Sequence, residues 1–454
     1  MAKQPETIDK SKLVHGDPTK DFFITMLIKD ITLRDAIGDL VDNSVDAIKA
    51  KAANRDNLKG YTINIKVDGN HFSISDNGTG IEEEIAREYA FKLGKPKDHK
   101  LIDHSIGRFG IGMKRAFFKL GNSISVKSKA PTSSFSIAIP VSTWKLDEDN
   151  WDFHFENVKS NQKNDASTTG TTIKITDLSH DAKESFKKAS FEYELREEIA
   201  TEQILNINKG IVIKINNEPL VPPDLTLKFN KEIIPAYWKH TFKPSKDSEL
   251  QVEIFTGVSD EKEIEVGWNI FCNDRLILSH DTSATTGWTG AGGDGVAKPH
   301  QQFWGFRGYV FFNSKKSSSL PWNTTKTGID PDSSDYLAVR KQMIEMMKDV
   351  IVLLNRQKKE REKENPAKNQ TLNNKVYAAK AVSVIKVVKE KDKLDARFHF
   401  PPDLNAVKEA DQKAIRYTVP TVKFNKVKKH IGASNPADVG SLTFDHYYEN
   451  EIGD

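Results

Sequence analysis

The chain has one cysteine in 454 residues, Cys272, so no internal disulfide can form and a reducing compartment suits it. It has no run of about 18 apolar residues, which argues against a membrane-spanning helix. The N-terminus carries Lys3, Glu6 and Asp9 without an apolar stretch, unlike a signal peptide. Net charge is nearly absent as well. The 67 Lys and Arg barely exceed the 64 Asp and Glu, so composition argues neither for nor against nucleic acid, and any basic surface must be local. There is no cysteine cluster to hold a structural zinc. What remains is a soluble protein of cytoplasmic or nuclear type, 37% apolar and 29% charged, long enough for two or three domains.

Apolar residues at helical spacing over residues 22–53, among them Ile37, Leu40, Val41 and Ala47, predict one or two helices. Two alternating runs, 61–67 and 71–75, flank Asp68-Gly69-Asn70 and read as a hairpin. Helices are expected at 82–93 and 112–120, separated by a lysine-rich loop, Gly94 to Ile106, that contains Lys95, Lys97, His99 and Lys100. Strands are expected at 123–128, 135–140 and 171–176. This order predicts a layer sandwich with helices on one face of a mainly antiparallel sheet, ending at a composition shift near 179–190. Strand-like segments at 210–216, 251–256, 266–278 and 305–313, then a long helical pattern at 335–362, predict a second α/β unit. From Pro366 onward the chain is basic and weakly periodic, as in a small appendage or tail.

Three segments carry chemistry. In Asp39-Leu40-Val41-Asp42-Asn43-Ser44-Val45-Asp46-Ala47, positions 39, 43 and 46 or 47 share one helical face. That face offers a carboxylate able to orient or deprotonate a water, and a carboxamide oxygen suited to Mg²⁺. Alone, it reads equally as a solvated polar face. Ser75-Asp76-Asn77-Gly78-Thr79-Gly80-Ile81 comes directly after a strand, where a carboxylate can accept from an exocyclic amine and two glycines allow positive φ; by itself it is also an ordinary β-turn. Gly107-Arg108-Phe109-Gly110-Ile111-Gly112-Met113-Lys114 leads into a helix whose N-terminus favours anions. It lacks the parallel βαβ setting of a dinucleotide fingerprint and the Gly-Lys-Ser/Thr ending of a Walker A loop.

The order and spacing of these segments resemble the GHKL superfamily of gyrase, chaperone, histidine-kinase and MutL ATPases, over roughly residues 20–180. Thr169-Gly170-Thr171-Thr172 stands where that superfamily closes its adenine pocket. Gly267 to Asp330 is similar to the transducer of MORC-type ATPases. The resembling pieces are Asn269 to Ile277, the glycine-rich Gly290 to Gly295, the strand Gly308 to Asn313, and Leu320-Pro321 to Lys326. The resemblance implies an α+β chain in three parts: a Bergerat-type ATP-binding sandwich at 1–185, an α/β transducer at 186–362, and a basic C-terminal appendage at 363–454. Without zinc-binding modules, it looks like a compact relative of prokaryotic type.

Carried over residue by residue, Asp39 matches the general base, normally a glutamate, and Asn43 the Mg²⁺ ligand. Asp76 matches the adenine-reading carboxylate, helped by Thr172 through water, while Gly78 and Gly80 give the base room. Gly107, Arg108, Phe109, Gly110, Ile111 and Gly112 match the lid around the triphosphate, Lys114 a phosphate-contacting lysine, and Asp46 and Ser44 supporting positions. Lys326 matches the transducer lysine that reaches the γ-phosphate. Aspartate is one methylene shorter than glutamate, so slow hydrolysis of ATP to ADP and phosphate is expected, with ATP acting as a switch. The resemblance further implies an ATP-dependent homodimer exchanging residues 1–20, clamped on DNA that Lys358–Lys363 and Lys423–Lys429 would contact, or a scaffold acting on protein partners, as in a defence system. A histidine kinase is disfavoured because no phospho-acceptor helix pair precedes the pocket, and a topoisomerase because nothing indicates a cleavage domain.

Overall fold

The computed structural model describes residues 18–92, 106, 110–290, 294–296, 298–323, 325–362, 371–402, 415–416 and 418–452. Two compact units divide after Phe400.

The first unit opens with helices α1 (Lys20–Ile28) and α2 (Leu33–Lys51), so the long helical pattern breaks at residues 29–32. Thr32 starts α2 with a capping box: its hydroxyl accepts from Asp35 N–H while the Asp35 carboxylate accepts from Thr32 N–H. Lys49 and Lys51 oppose the dipole at the far end. Strands β1 (Thr62–Val67) and β2 (Phe72–Asp76) form the expected hairpin, and α3 (Gly112–Leu120) begins and ends where the sequence places it. Residues 83–90 form only a short helix and a π-helical turn. Then come β3 (Gly121–Lys129), β4 (Ser134–Pro140), β5 (Phe155–Lys159), β6 (Gly170–Leu178), α4 (Ala189–Glu202), β7 (Val212–Ile215) and β8 (Glu218–Pro219).

These strands form one sheet, ordered β5-β4-β3-β6-β2-β1-β7-β8, antiparallel except for the β1–β7 pair. Its last two strands lie beyond the composition shift at 179–190. Alternation puts Ile63 and Ile65 of β1, Ile124 and Val126 of β3, and Ile173 and Ile175 of β6 in the core beneath Val41, Val45 and Ile48 of α2 and Phe117 of α3. Each such side chain contributes about 1.5–3 kcal/mol on burial.

The second sheet comprises β10 (Ala236–Ser245), β11 (Ser248–Val258), β12 (Gly267–Cys272), β13 (Arg275–Asp281) and β14 (Phe306–Asn313), ordered β10-β11-β14-β12-β13; a separate strand β9 (Thr226–Phe229) flanks it. Helix α5 (Ser334–Arg361) carries the buried stripe Val339, Met343, Met347, Val350 and Leu354. A second apolar cluster joins Phe255, Phe271 and Tyr309 to Leu227, Val384 and Val387. Residues 371–400, grouped by sequence with the tail, therefore pack into the first unit. Their strand β15 (Lys380–Ser383) pairs antiparallel with β9, and Ile234 bridges His399. Their apolar residues are too few and too scattered to show a period, yet they fill this cluster.

The second unit contains α6 (Thr421–Ile431), closed by Gly432 at φ 68°, and α7 (Pro436–Tyr447), capped by Asn435. Among the described residues no helix is long and apolar enough to cross a membrane.

Candidate functional site

Helix α2 is buried on nearly every side because both sheets are built around it. One side faces the turn after β2 and the N-terminus of α3; the other faces the second sheet. Several of its polar residues consequently have fixed protein partners: Asp39, Asp42, Ser44, Asp46 and Lys49.

At the end of β2, the Asp76 carboxylate accepts from Gly78 N–H at 2.8 Å and Ser44 Oγ at 3.2 Å, and also from Thr171 N–H. Burial pushes its carboxyl up to about 6 against the pull of these bonds. The turn lies directly on α2. A Cβ on Gly78 would stand 2.7 Å from the Ala47 Cβ, and Thr79 N–H bonds to Ala47 O at 3.2 Å. Gly80 sits at φ 71°, and a Cβ there would be 2.1 Å from Lys129 O. The Thr169 hydroxyl donates to Gly78 O at 2.7 Å, joining this turn to the start of β6. Of the paired threonines, Thr172 is exposed, whereas Thr171 is buried and serves Asp76. Position 171 shares a face with Ile173 and Ile175, and 172 lies opposite.

Gly107, Arg108, Phe109, residues 94–105 and residues 1–17 lie outside the described residues. At the C-terminal end of the lid, Gly110 has φ 69° and Ile111 precedes α3. A Cβ on Gly112 would come within 3.0 Å of Asp39 Cγ, so the start of α3 abuts the candidate base. Lys114 is buried; its ammonium donates to Ala90 O at 2.9 Å and to Gly110 O, holding the junction between lid and helix. Asp46 accepts Ile106 N–H on both oxygens, at 2.9 and 3.0 Å, which fixes the residue just before the glycine-rich segment 107–112.

Asp39 is buried between two cations. Arg115 Nε, one turn into α3, donates to its Oδ2 at 2.5 Å, and Lys326 Nζ donates to its Oδ1 at 3.0 Å. Burial alone would raise the Asp39 carboxyl, but Lys326 and Arg115 outweigh it and hold it below its ordinary value. Lys326 Nζ also donates to Asp42 Oδ2 at 2.6 Å. Asp42, fully buried, further accepts from Gln203 Nε2 at 2.8 Å and from Arg275 Nε at 3.0 Å. Arg275 in turn lies 2.9 Å from Glu202, whose carboxyl burial pushes up to about 7 despite that cation.

The structure thus brings Asp39, Asn43, Asp46 and Asp76 around one helix and adds Lys326 from the loop between β14 and α5. Arg115, Asp42, Arg275 and Thr171 escaped assignment from sequence. Thr171 was readable from strand parity; the others carry no local signal, since their partners are distant in the chain.

Asn43 is half-buried, and among the described residues its carboxamide has no hydrogen-bond partner. No group of three or more His, Cys, Asp or Glu among the described residues forms a metal cage. A lone carboxamide fits Mg²⁺ better than a cage would, because this ion keeps several waters and is held jointly with substrate phosphates.

Comparison with curated proteins found no match. Residues 31–171 match the model of the histidine kinase-, DNA gyrase B-, and HSP90-like ATPase family. The matched stretch contains α2, the Asp76 turn, α3 and Thr171 at the start of β6, and is thus similar to GHKL-type ATPase domains.

Proposed function

We propose that the protein binds ATP with Mg²⁺ between α2, the Asp76 turn and the lid, and hydrolyses it slowly. The observation that carries this reading is Asp39 held between Lys326 and Arg115 beside the N-terminus of α3. Asp76 accepts the adenine amine, and Asn43 holds the metal, which neutralises phosphate charge. Gly107–Gly112 and Lys114 enclose the phosphates. Asp39 takes the proton of the attacking water as it adds to the γ-phosphorus, releasing ADP and phosphate. A base whose affinity for protons is depressed by two cations is a weak one, in keeping with ATP as a switch. Turnover by Asp39→Asn at the wild-type rate would refute this role.

In this reading the second sheet with α5 is a transducer of MORC type, and Lys326 reports the terminal phosphate. ATP closes a homodimer around DNA. Helix α6 supports the nucleic-acid partner, since it carries Lys423, Lys426, Lys428 and Lys429 and no acidic residue. The alternative, a scaffold for protein partners, draws support from exposed Phe444, Tyr447 and Tyr448 at α7 and beyond. Measuring hydrolysis with and without plasmid DNA across a salt series separates the two; stimulation with a steep salt slope favours the clamp. Sedimentation with a non-hydrolysable analogue tests dimerisation. A mass that stays monomeric at micromolar protein rules it out.

A further inference from the structure

We propose that Arg275 is the positioning residue that holds Lys326 against Asp39, a role that rests on the reading of Lys326 given above. Arg275 uses its fork in three directions. Nε meets Asp42 at 3.0 Å, one terminal nitrogen meets Glu202 at 2.9 Å, and the other donates to the backbone carbonyl of Lys326 at 3.0 Å. The last bond matters because Lys326 has φ 60°, a left-handed conformation unfavourable for a residue with a side chain. Something must hold it there. Lys326 N–H also bonds to Asn323 O at 3.1 Å, but among the described residues only Arg275 grips both the Lys326 backbone and Asp42, the partner of the Lys326 ammonium.

Arg275 is itself anchored. It opens β13 directly after the turn Asn273-Asp274, with φ 48° and 72°, and Lys49 of α2 binds that turn at Asn273 O (3.0 Å) and Asp274 Oδ2 (2.8 Å). Asp39, Asp42 and Lys49 therefore lie along one helix that aligns the candidate base, the counter-ion of Arg275 and the anchor of the turn before Arg275. A lysine at 275 keeps the charge but cannot reach three partners with planar geometry.

The test uses the full chain with Arg275→Lys, Lys326→Met and the double variant. Nucleotide-free protein is acylated at its amines and read by mass spectrometry, with buried Lys49 as the reference for global opening. Arg275→Lys is expected to raise labelling of Lys326 about tenfold relative to Lys49, and to lower kcat by about 10²-fold with nucleotide Kd within a few-fold. It should add no further loss to Lys326→Met. Equal fold losses in both backgrounds, or unchanged Lys326 labelling, overturn the proposal alone. Wild-type turnover by Lys326→Met overturns the underlying reading, and this proposal with it. If Arg275→Lys does not fold, Glu202→Gln, which removes one anchor, must increase Lys326 labelling and slow turnover non-additively with Lys326→Met. Should that variant also unfold, or leave both readouts unchanged, Arg275 is a structural ion-pair residue and the proposal fails.

Discussion

Lys326 Nζ lies 3.0 Å from Asp39 Oδ1, although 287 positions separate the two residues in the chain. Lys326 belongs to the loop before α5, whereas Asp39 lies within α2. The pair therefore ties the second sheet to the candidate base.

Replacing Lys326 by methionine leaves Asp39 and Asp42 with one fewer cation in a buried setting. Breaking such a pair costs about 3–5 kcal/mol, so the melting temperature should fall. Nucleotide affinity should hold within a few-fold while turnover drops about 10²-fold. Calorimetry and steady-state kinetics on the same sample check both. A stable variant with full activity would remove Lys326 from the site.

Asp39→Asn should bind nucleotide and lose turnover. Asp39→Glu restores the residue type expected by resemblance, yet it should not accelerate hydrolysis. The space ahead of the carboxylate is already taken by Gly112, where a Cβ would stand 3.0 Å from Asp39 Cγ, and by Arg115. An added methylene there typically costs about 1–3 kcal/mol in strain. A glutamate variant faster than wild type would contradict this packing argument.

Arg115→Gln removes one of the cations that hold the Asp39 carboxyl down. The acidic limb of the kcat profile should move to higher pH. The sign comes from the base: with less positive charge nearby, Asp39 keeps its proton to a higher pH. A limb that stays in place means another group controls it.

Asp76 has the opposite bias. Its carboxyl, ordinarily at 3.8, is pushed up to about 6, so between these values the folded state binds the proton more tightly than the unfolded chain. Its contribution to stability is therefore fully present below 3.8 and is lost as pH rises through about 6. Asp76→Asn should melt higher than wild type at pH 8, with the gap closing toward pH 4, while losing nucleotide affinity. Wild type melting higher at pH 8 would show that the charged carboxylate does not burden the fold.

Much of this was legible in the sequence. The periods of α2, α3 and β1–β2 report directly on which residues face a core. Gly80 and Gly110 mark positions that need positive φ, and their spacing from the polar face of α2 carries the resemblance. The parity of β6 places Thr171 on the buried face and Thr172 on the exposed one. The association of residues 371–400 with the second sheet was not legible, because isolated residues such as Val384 and Val387 leave no period.

The sequence by itself determined the wall of the site: Asp39, Asn43 and Asp46 on one helix, and Asp76 at a glycine turn. Local patterns suffice for that, because helix and turn geometry act over a few residues. Tertiary structure alone decided what Asp39 touches. Arg115, Lys326, Asp42 and Arg275 meet only when two sheets close around α2, and burial then turns distant charges into partners that compete for the same carboxylates.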